Sequence, residues 1–192
     1  MDLPTLGYYR THDNVIPPKM STAGAACYDL SAHLIVENDK KQLTDYREVT
    51  IFTPENEMYT ETAVCKVHPT EAGRFTPFRV VIPPRHRAII PTGIIFDIPE
   101  GHSVRLHPRS GLSIKKGFIV ANCEGVIDED YFHEIKSLMV NTSDVPIIVE
   151  HGDRIVQAEI VKTVQHYVVE TDVEPCQKTD RVGGLGSTGV KL

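Results

Sequence analysis

Arg79-Val-Val-Ile-Pro-Pro-Arg-His-Arg-Ala-Ile-Ile-Pro-Thr-Gly-Ile-Ile-Phe-Asp-Ile-Pro-Glu-Gly-His-Ser-Val-Arg-Leu-His107 sets short Val- and Ile-rich runs between turns that hold Pro or Gly. The runs Arg79–Ile82, Arg87–Ile90, Ile94–Ile98 and Ser103–His107 read as strands. Pro83-Pro84, Pro91-Thr92-Gly93 and Pro99-Glu100-Gly101 break the chain between them. Outside this stretch the pattern continues at Tyr28–Val36, Glu134–Val140, Ile147–Glu150 and Ile155–Val164, with Thr163–Glu170 extending the last run. Many short strands at regular spacing predict an all-β protein, as a sandwich, jelly roll or barrel. One short helix is expected at about Ser110–Lys116, with Ser110 as its cap.

The chain has 192 residues, of which 41% are hydrophobic, enough for one domain over 1–192 with its own core. A net charge of −6 opposes non-specific nucleic-acid binding, which needs a basic surface to displace counterions. No apolar run is long enough to span a membrane, and Met1-Asp2-Leu3-Pro4 lacks a basic-then-apolar signal pattern. Cys27, Cys65, Cys123 and Cys176 form no C-x-x-C pair, which predicts reduced thiols in a cytoplasmic protein. Residues from about 39 to 78 are polar, with a weak strand at Thr62–His68. They read as a hairpin-like insertion projecting from the core, available to a protein partner. From about 171 to 192 the chain reads as a flexible arm.

Several polar blocks carry candidate chemistry. Gly125-Val-Ile-Asp128-Glu-Asp130-Tyr131 sets two carboxylates two positions apart, so that on a strand both share a face beside an aromatic ring. The plain alternative is a polar hairpin tip. Pro108-Arg109-Ser110-Gly111-Leu112 joins a strand to the helix, where amides and an Arg favour an anion. In Gly152-Asp-Arg154-Ile-Val-Gln157, Gln157 can bond a phosphate while Asp153 and Arg154 brace the site. Ala25-Ala-Cys-Tyr-Asp29-Leu30 starts a strand with a carboxylate. Each of these three is also compatible with an ordinary turn. Gly184-Leu-Gly186-Ser-Thr-Gly189 matches G-x-G-x-x-G letter for letter, but too little chain follows to open a helix. It suits an arm whose amides and hydroxyls close over phosphates. No histidine pattern for zinc and no G-x-S-x-G is present, and His102 and His107 read as surface residues.

Taken together, A-C-Y-D-L at 26–30, P-R-S-G-L at 108–112, N-C-E-G-V-I-D-E-D-Y at 122–131, G-D-R-I-V-Q at 152–157 and G-G-L-G-S-T-G at 183–189 resemble the trimeric dUTPase family. The resemblance implies a distorted jelly-roll β-barrel and a homotrimer with shared sites, the arm coming from a third chain. It implies Mg²⁺-dependent hydrolysis of dUTP to dUMP and pyrophosphate, limiting uracil in DNA. It also implies roles. Asp128 would activate the attacking water. Tyr131 would pack on the deoxyribose and exclude a 2′-hydroxyl. Asn122 and Val126 would frame the uracil. Arg109, Ser110, Gly111 and Gln157 would hold phosphates. Asp29 would orient Mg²⁺ through water. Arg181, Leu185, Gly186, Ser187 and Thr188 would close the arm over the nucleotide.

The chain departs from the family pattern in four places. Leu185 replaces a Phe that stacks on the base, and Arg181 is displaced by one position. Phe132-His133 stands where Arg or Gln and then Gly are common, and Cys27 stands for Gly. Two other readings compete with dUTP hydrolysis. One is a dCTP deaminase-like enzyme, for which Phe132 takes the place of the needed Glu and Glu134, two positions on, does not substitute. The other is a non-catalytic dUTP-binding module that acts through the insertion.

Overall fold

Ala88 and Ile90 are buried while Arg87 and Ile89 are half-exposed, the two-residue alternation of a strand with one face on a core. The computed structural model describes residues 3–38, 40, 42–63 and 78–180. In chain order its strands are β1 (Gly7–Arg10), β2 (Lys19–Met20), β3 (Tyr28–Ser31), β4 (Ile35–Glu37), β5 (Leu43–Tyr46), β6 (Glu48–Phe52), β7 (Met58–Thr62) and β8 (Arg79–Ile82). They continue as β9 (Arg87–Pro91), β10 (Ile94–Asp97) and β11 (His102–Pro108), then helix α1 (Ser110–Lys116). The last strands are β12 (Phe118–Val120), β13 (Gly125–Ile127), β14 (Lys136–Asn141), β15 (Ile147–Glu150) and β16 (Arg154–Lys162).

Two five-stranded sheets run in the orders β13-β11-β16-β3-β2 and β12-β14-β9-β6-β7, flanked by the pairs β1-β10, β15-β8 and β4-β5. The sheets share one core. Leu30, Val104 and Val156 come from the first, Ile51, Ile90 and Met139 from the second. This is a jelly-roll arrangement of antiparallel sheets, and among the described residues it does not close into a single hydrogen-bonded barrel.

Several expectations change. The run 28–36 is two strands, because Ala32 and His33 leave the sheet. Ala32 N–H bonds the Asp153 carbonyl and His33 N–H bonds the Pro91 carbonyl. The run 163–170 does not extend β16, which ends at Lys162. The expected strand at 62–68 begins where β7 ends, and residues 64–68 lie outside the described residues. The described part of 39–78 does not simply project. Its hairpin character is real in β6–β7, but β6 also pairs with β9, and Val49 and Ile51 are fully buried. Helix α1 spans the expected residues, yet Arg109 is its N-cap, Ser110 is already helical, and no side chain caps it. Gly117 ends the helix at φ 62°, and a Cβ there would sit 2.8 Å from Thr142 Oγ1.

Candidate active site

Two clusters carry the sequence-derived candidates. The first gathers where β3, β16 and the end of β11 adjoin. Asp29 is only 9% exposed and would be costly there without partners. Its Oδ1 accepts Arg109 Nε at 2.9 Å, and its Oδ2 accepts Arg154 NH1 at 2.9 Å and Ser21 Oγ at 2.9 Å. Arg109 also donates to the Arg154 carbonyl at 2.8 Å. Gln157 lies opposite Asp29 in the β16–β3 register and donates to the Pro108 carbonyl at 3.2 Å. Ser110 and Gly111 are exposed on the first turn of α1. Arg154 therefore engages the Asp29 carboxylate. Asp153 instead accepts Glu150 N–H in the β15–β16 turn. Ser21 had no signal in the sequence.

This arrangement concentrates guanidinium groups and exposed helix-start polar groups around one carboxylate, a setting that favours an anion. No group of three or more His, Cys, Asp or Glu side chains suited to a metal occurs among the described residues. A carboxylate offers about four lone-pair sites. Three of those on Asp29 are taken, which leaves room for one further donor, such as a metal-bound water. That donor set fits Mg²⁺, which keeps waters and takes most other ligands from substrate phosphates. His107 is no ligand candidate, since its Nε2 lies 3.0 Å from Glu159 and its Nδ1 lies 3.6 Å from Glu124.

The second cluster is the hairpin from β12 to β13 and the loop after it. Asn122 and Val126 line a cleft of about 110 Å³ with Leu106, Val120, Gly125 and Ile127. Cys123 occupies the hairpin bend at φ 63°. The shared-face argument for Asp128 and Asp130 fails. β13 ends at Ile127, and Asp128–Tyr131 is a turn closed by Tyr131 N–H to the Asp128 carbonyl at 3.1 Å. Asp128 is exposed, and its side chain has no hydrogen bond or ion pair among the described residues. Glu129 anchors the turn by accepting Gly101 N–H at 2.7 Å. Tyr131 is 38% exposed, donates its hydroxyl to the Glu134 carbonyl at 3.3 Å, and meets His133 edge-on at 5.6 Å. His133 is not at positive φ, so the backbone here does not require the glycine common at that place. Glu134 is engaged by Arg47 and by Gly93 N–H, so it is not free to serve as a catalytic acid.

The two clusters do not meet within one chain. Ile127 pairs with Val104 and Gly125 with Leu106, so Asp128 lies beside the start of β11, while Arg109 follows its end. Six residues of strand separate the two levels by about 20 Å. Arg181, Leu185, Gly186, Ser187 and Thr188 lie outside the described residues. Cys27, Cys123 and Cys176 are free thiols. Among the described residues no helix is long and apolar enough to cross a membrane.

The dUTPase family model matches residues 75–189. The deoxyuridine 5′-triphosphate nucleotidohydrolase of Hydrogenobaculum sp. (strain Y04AAS1) is 46% identical over 113 residues, covering 58% of this chain and 77% of that protein. A mutant dUTPase of Staphylococcus bacteriophage 80alpha, solved with dUpNHpp, superposes with a TM-score of 0.66 at 19% identity, over 97% of this chain and 99% of that one. A mutant dUTPase from phage phi11 of S. aureus, solved with a coordinated structural Mg(II) ion, superposes with a TM-score of 0.57 at 18% identity, over 88% of this chain and 97% of that one. The two solved structures bear on the fold alone.

Proposed function

This chain belongs to the dUTPase family, and on that premise we propose a mechanism in which Asp128 and the Asp29–Arg109 cluster act at one site built from different subunits. The protein is a dUTP nucleotidohydrolase that serves nucleotide-pool control. The observation that carries the proposal is the register of β11 with β13, which holds Asp128 and Arg109 at opposite ends of one strand. A homotrimer brings the Asp128 end of one chain to the Arg109 end of another.

In this reading uracil enters the cleft at Asn122 and Val126, and Tyr131 lies against the deoxyribose, leaving no room for a 2′-hydroxyl. Arg109, Ser110, Gly111 and Gln157 hold phosphate oxygens. Asp128 takes a proton from water, whose oxygen attacks the α-phosphorus and releases pyrophosphate. The exposure of Asp128 and its lack of a side-chain partner among the described residues support this role, because a base must reach solvent and substrate. Mg²⁺, held by substrate phosphates and by Asp29 through water, would neutralise phosphate charge. Arg181, Leu185, Gly186, Ser187 and Thr188 close over the nucleotide from a third chain. The engagement of Glu134 by Arg47 and Gly93 weighs against a deaminase.

The test is pyrophosphate release from dUTP, dCTP, dTTP and UTP side by side, with wild type and Asp128→Asn. Activity confined to dUTP and lost in the variant is expected. Ammonia release from dCTP, or full activity in Asp128→Asn, would reject the reading.

A further inference from the structure

Arg47, in the segment before residue 75 that the family model does not reach, touches the loop that ends at Glu134. Arg47 sits between β5 and β6. Its NH2 pairs with Glu134 Oε2, and its NH1 lies 3.3 Å from His33 Nδ1. Its backbone N–H bonds the Leu34 carbonyl at 2.8 Å, so the stem of this arginine is fixed as well as its head. The side chains of Arg47 and Glu134 are 20% and 14% exposed, well below the openness at which an ion pair contributes little.

Both partners are held from the far side. Glu134 Oε1 accepts Gly93 N–H at 2.7 Å. Gly93 adopts φ +73°, and a Cβ there would lie 2.4 Å from Val15 Cγ2, so only glycine delivers that amide. His33 is 1% exposed, and its Nε2 is 3.2 Å from Asn14 Oδ1. Burial first, and then the Arg47 guanidinium, lower its pKa to about 3. At neutral pH it is therefore uncharged, with Nδ1 free to accept from Arg47 and the proton on Nε2 facing Asn14.

Glu134 closes the loop that begins at Asp128. Its carbonyl accepts the Tyr131 hydroxyl at 3.3 Å, and Ile135 N–H next to it bonds the Ile94 carbonyl at 2.7 Å. We propose that Arg47 is a positioning residue whose ion pair with Glu134 sets the orientation of Tyr131 and thereby the rejection of ribonucleotides. This rests on the reading of Tyr131 as the ring against the sugar. It assigns part of the 39–78 segment to substrate selection. Arg47 itself touches no substrate.

The experiment compares kcat/KM for dUTP and UTP in the full-length wild type, Arg47→Met, Glu134→Gln, the double variant and Arg47→Lys, with circular dichroism melting as the control for folding. Misplacing a positioning group costs about ten- to a hundredfold. The dUTP-to-UTP ratio is expected to fall about tenfold in each single variant, no further in the double, and to recover in part with Arg47→Lys. A folded Arg47→Met with the wild-type ratio, or single effects that multiply in the double variant, overturns the proposal. If Arg47→Met does not fold, Glu134→Gln decides by itself, and a wild-type ratio there is equally fatal. A wild type with no preference for dUTP over UTP would instead sink the reading of Tyr131 on which the proposal stands.

Discussion

Arg109 Nε lies 2.9 Å from Asp29 Oδ1, on a carboxylate that Arg154 also engages at 2.9 Å. Asp29 is thus the counter-charge that lets two guanidinium groups gather before any phosphate arrives. Replacing it by Asn keeps the shape and removes the charge. Asp29→Asn is expected to cost about 1–3 kcal/mol of stability, read as a lower urea midpoint at unchanged slope. The Mg²⁺ concentration for half-maximal pyrophosphate release is expected to rise. A variant with wild-type midpoint and wild-type Mg²⁺ dependence would contradict this.

His33 makes stability depend on pH. Its folded pKa is lowered from 6.5 to about 3, by burial before the charge of Arg47. Between those values the unfolded chain binds a proton at this position and the folded chain does not. Stability therefore rises with pH across that window, is complete above it, and is lost as pH falls toward the folded pKa. His151 is lowered too, by burial against the opposing pull of Glu37, and acts in the same direction. The urea midpoint is expected to drop between pH 7 and pH 5, and to drop less in His33→Gln. Equal pH slopes for the two proteins would refute the assignment.

Leu185 stands in the arm where an aromatic would stack on the base. Base–aromatic stacking contributes roughly 1–3 kcal/mol. Leu185→Phe is expected to lower KM for dUTP by about tenfold. An unchanged or higher KM would mean that the arm does not cover the base.

The strands from Arg79 to His107 were legible because period-two alternation and Pro or Gly turns agree there. β6 was not, because Val49 and Ile51 alternate over only a few residues just after the charged Asp45, Arg47 and Glu48, and only the pairing with β9 makes them core. β12 and β13 have three residues each, too short for periodicity to register. Of the site, Asp29 and Arg154 were legible as turn-edge charges in quoted blocks. Ser21, Glu129, Arg47 and Glu134 were not. Each owes its part to a contact across the fold, and no local pattern records such a contact. The face argument for Asp128 and Asp130 failed because a hydrogen-bonded turn begins where the strand was expected to continue.

The separation of Asp128 from Arg109 along β11 is the claim on which the mechanism turns, and mixing two inactive variants tests it most directly. Asp128→Asn and Arg109→Ala chains, each purified and inactive alone, are co-expressed with different tags, and the hybrid oligomers are isolated. If one subunit supplies the carboxylate and its neighbour the arginine, every mixed trimer has about one site in three with both groups intact. The expected result is dUTP hydrolysis at about a third of the wild-type rate. Hybrids as inactive as their parents would show that each chain needs both residues for itself, and the shared site would be wrong.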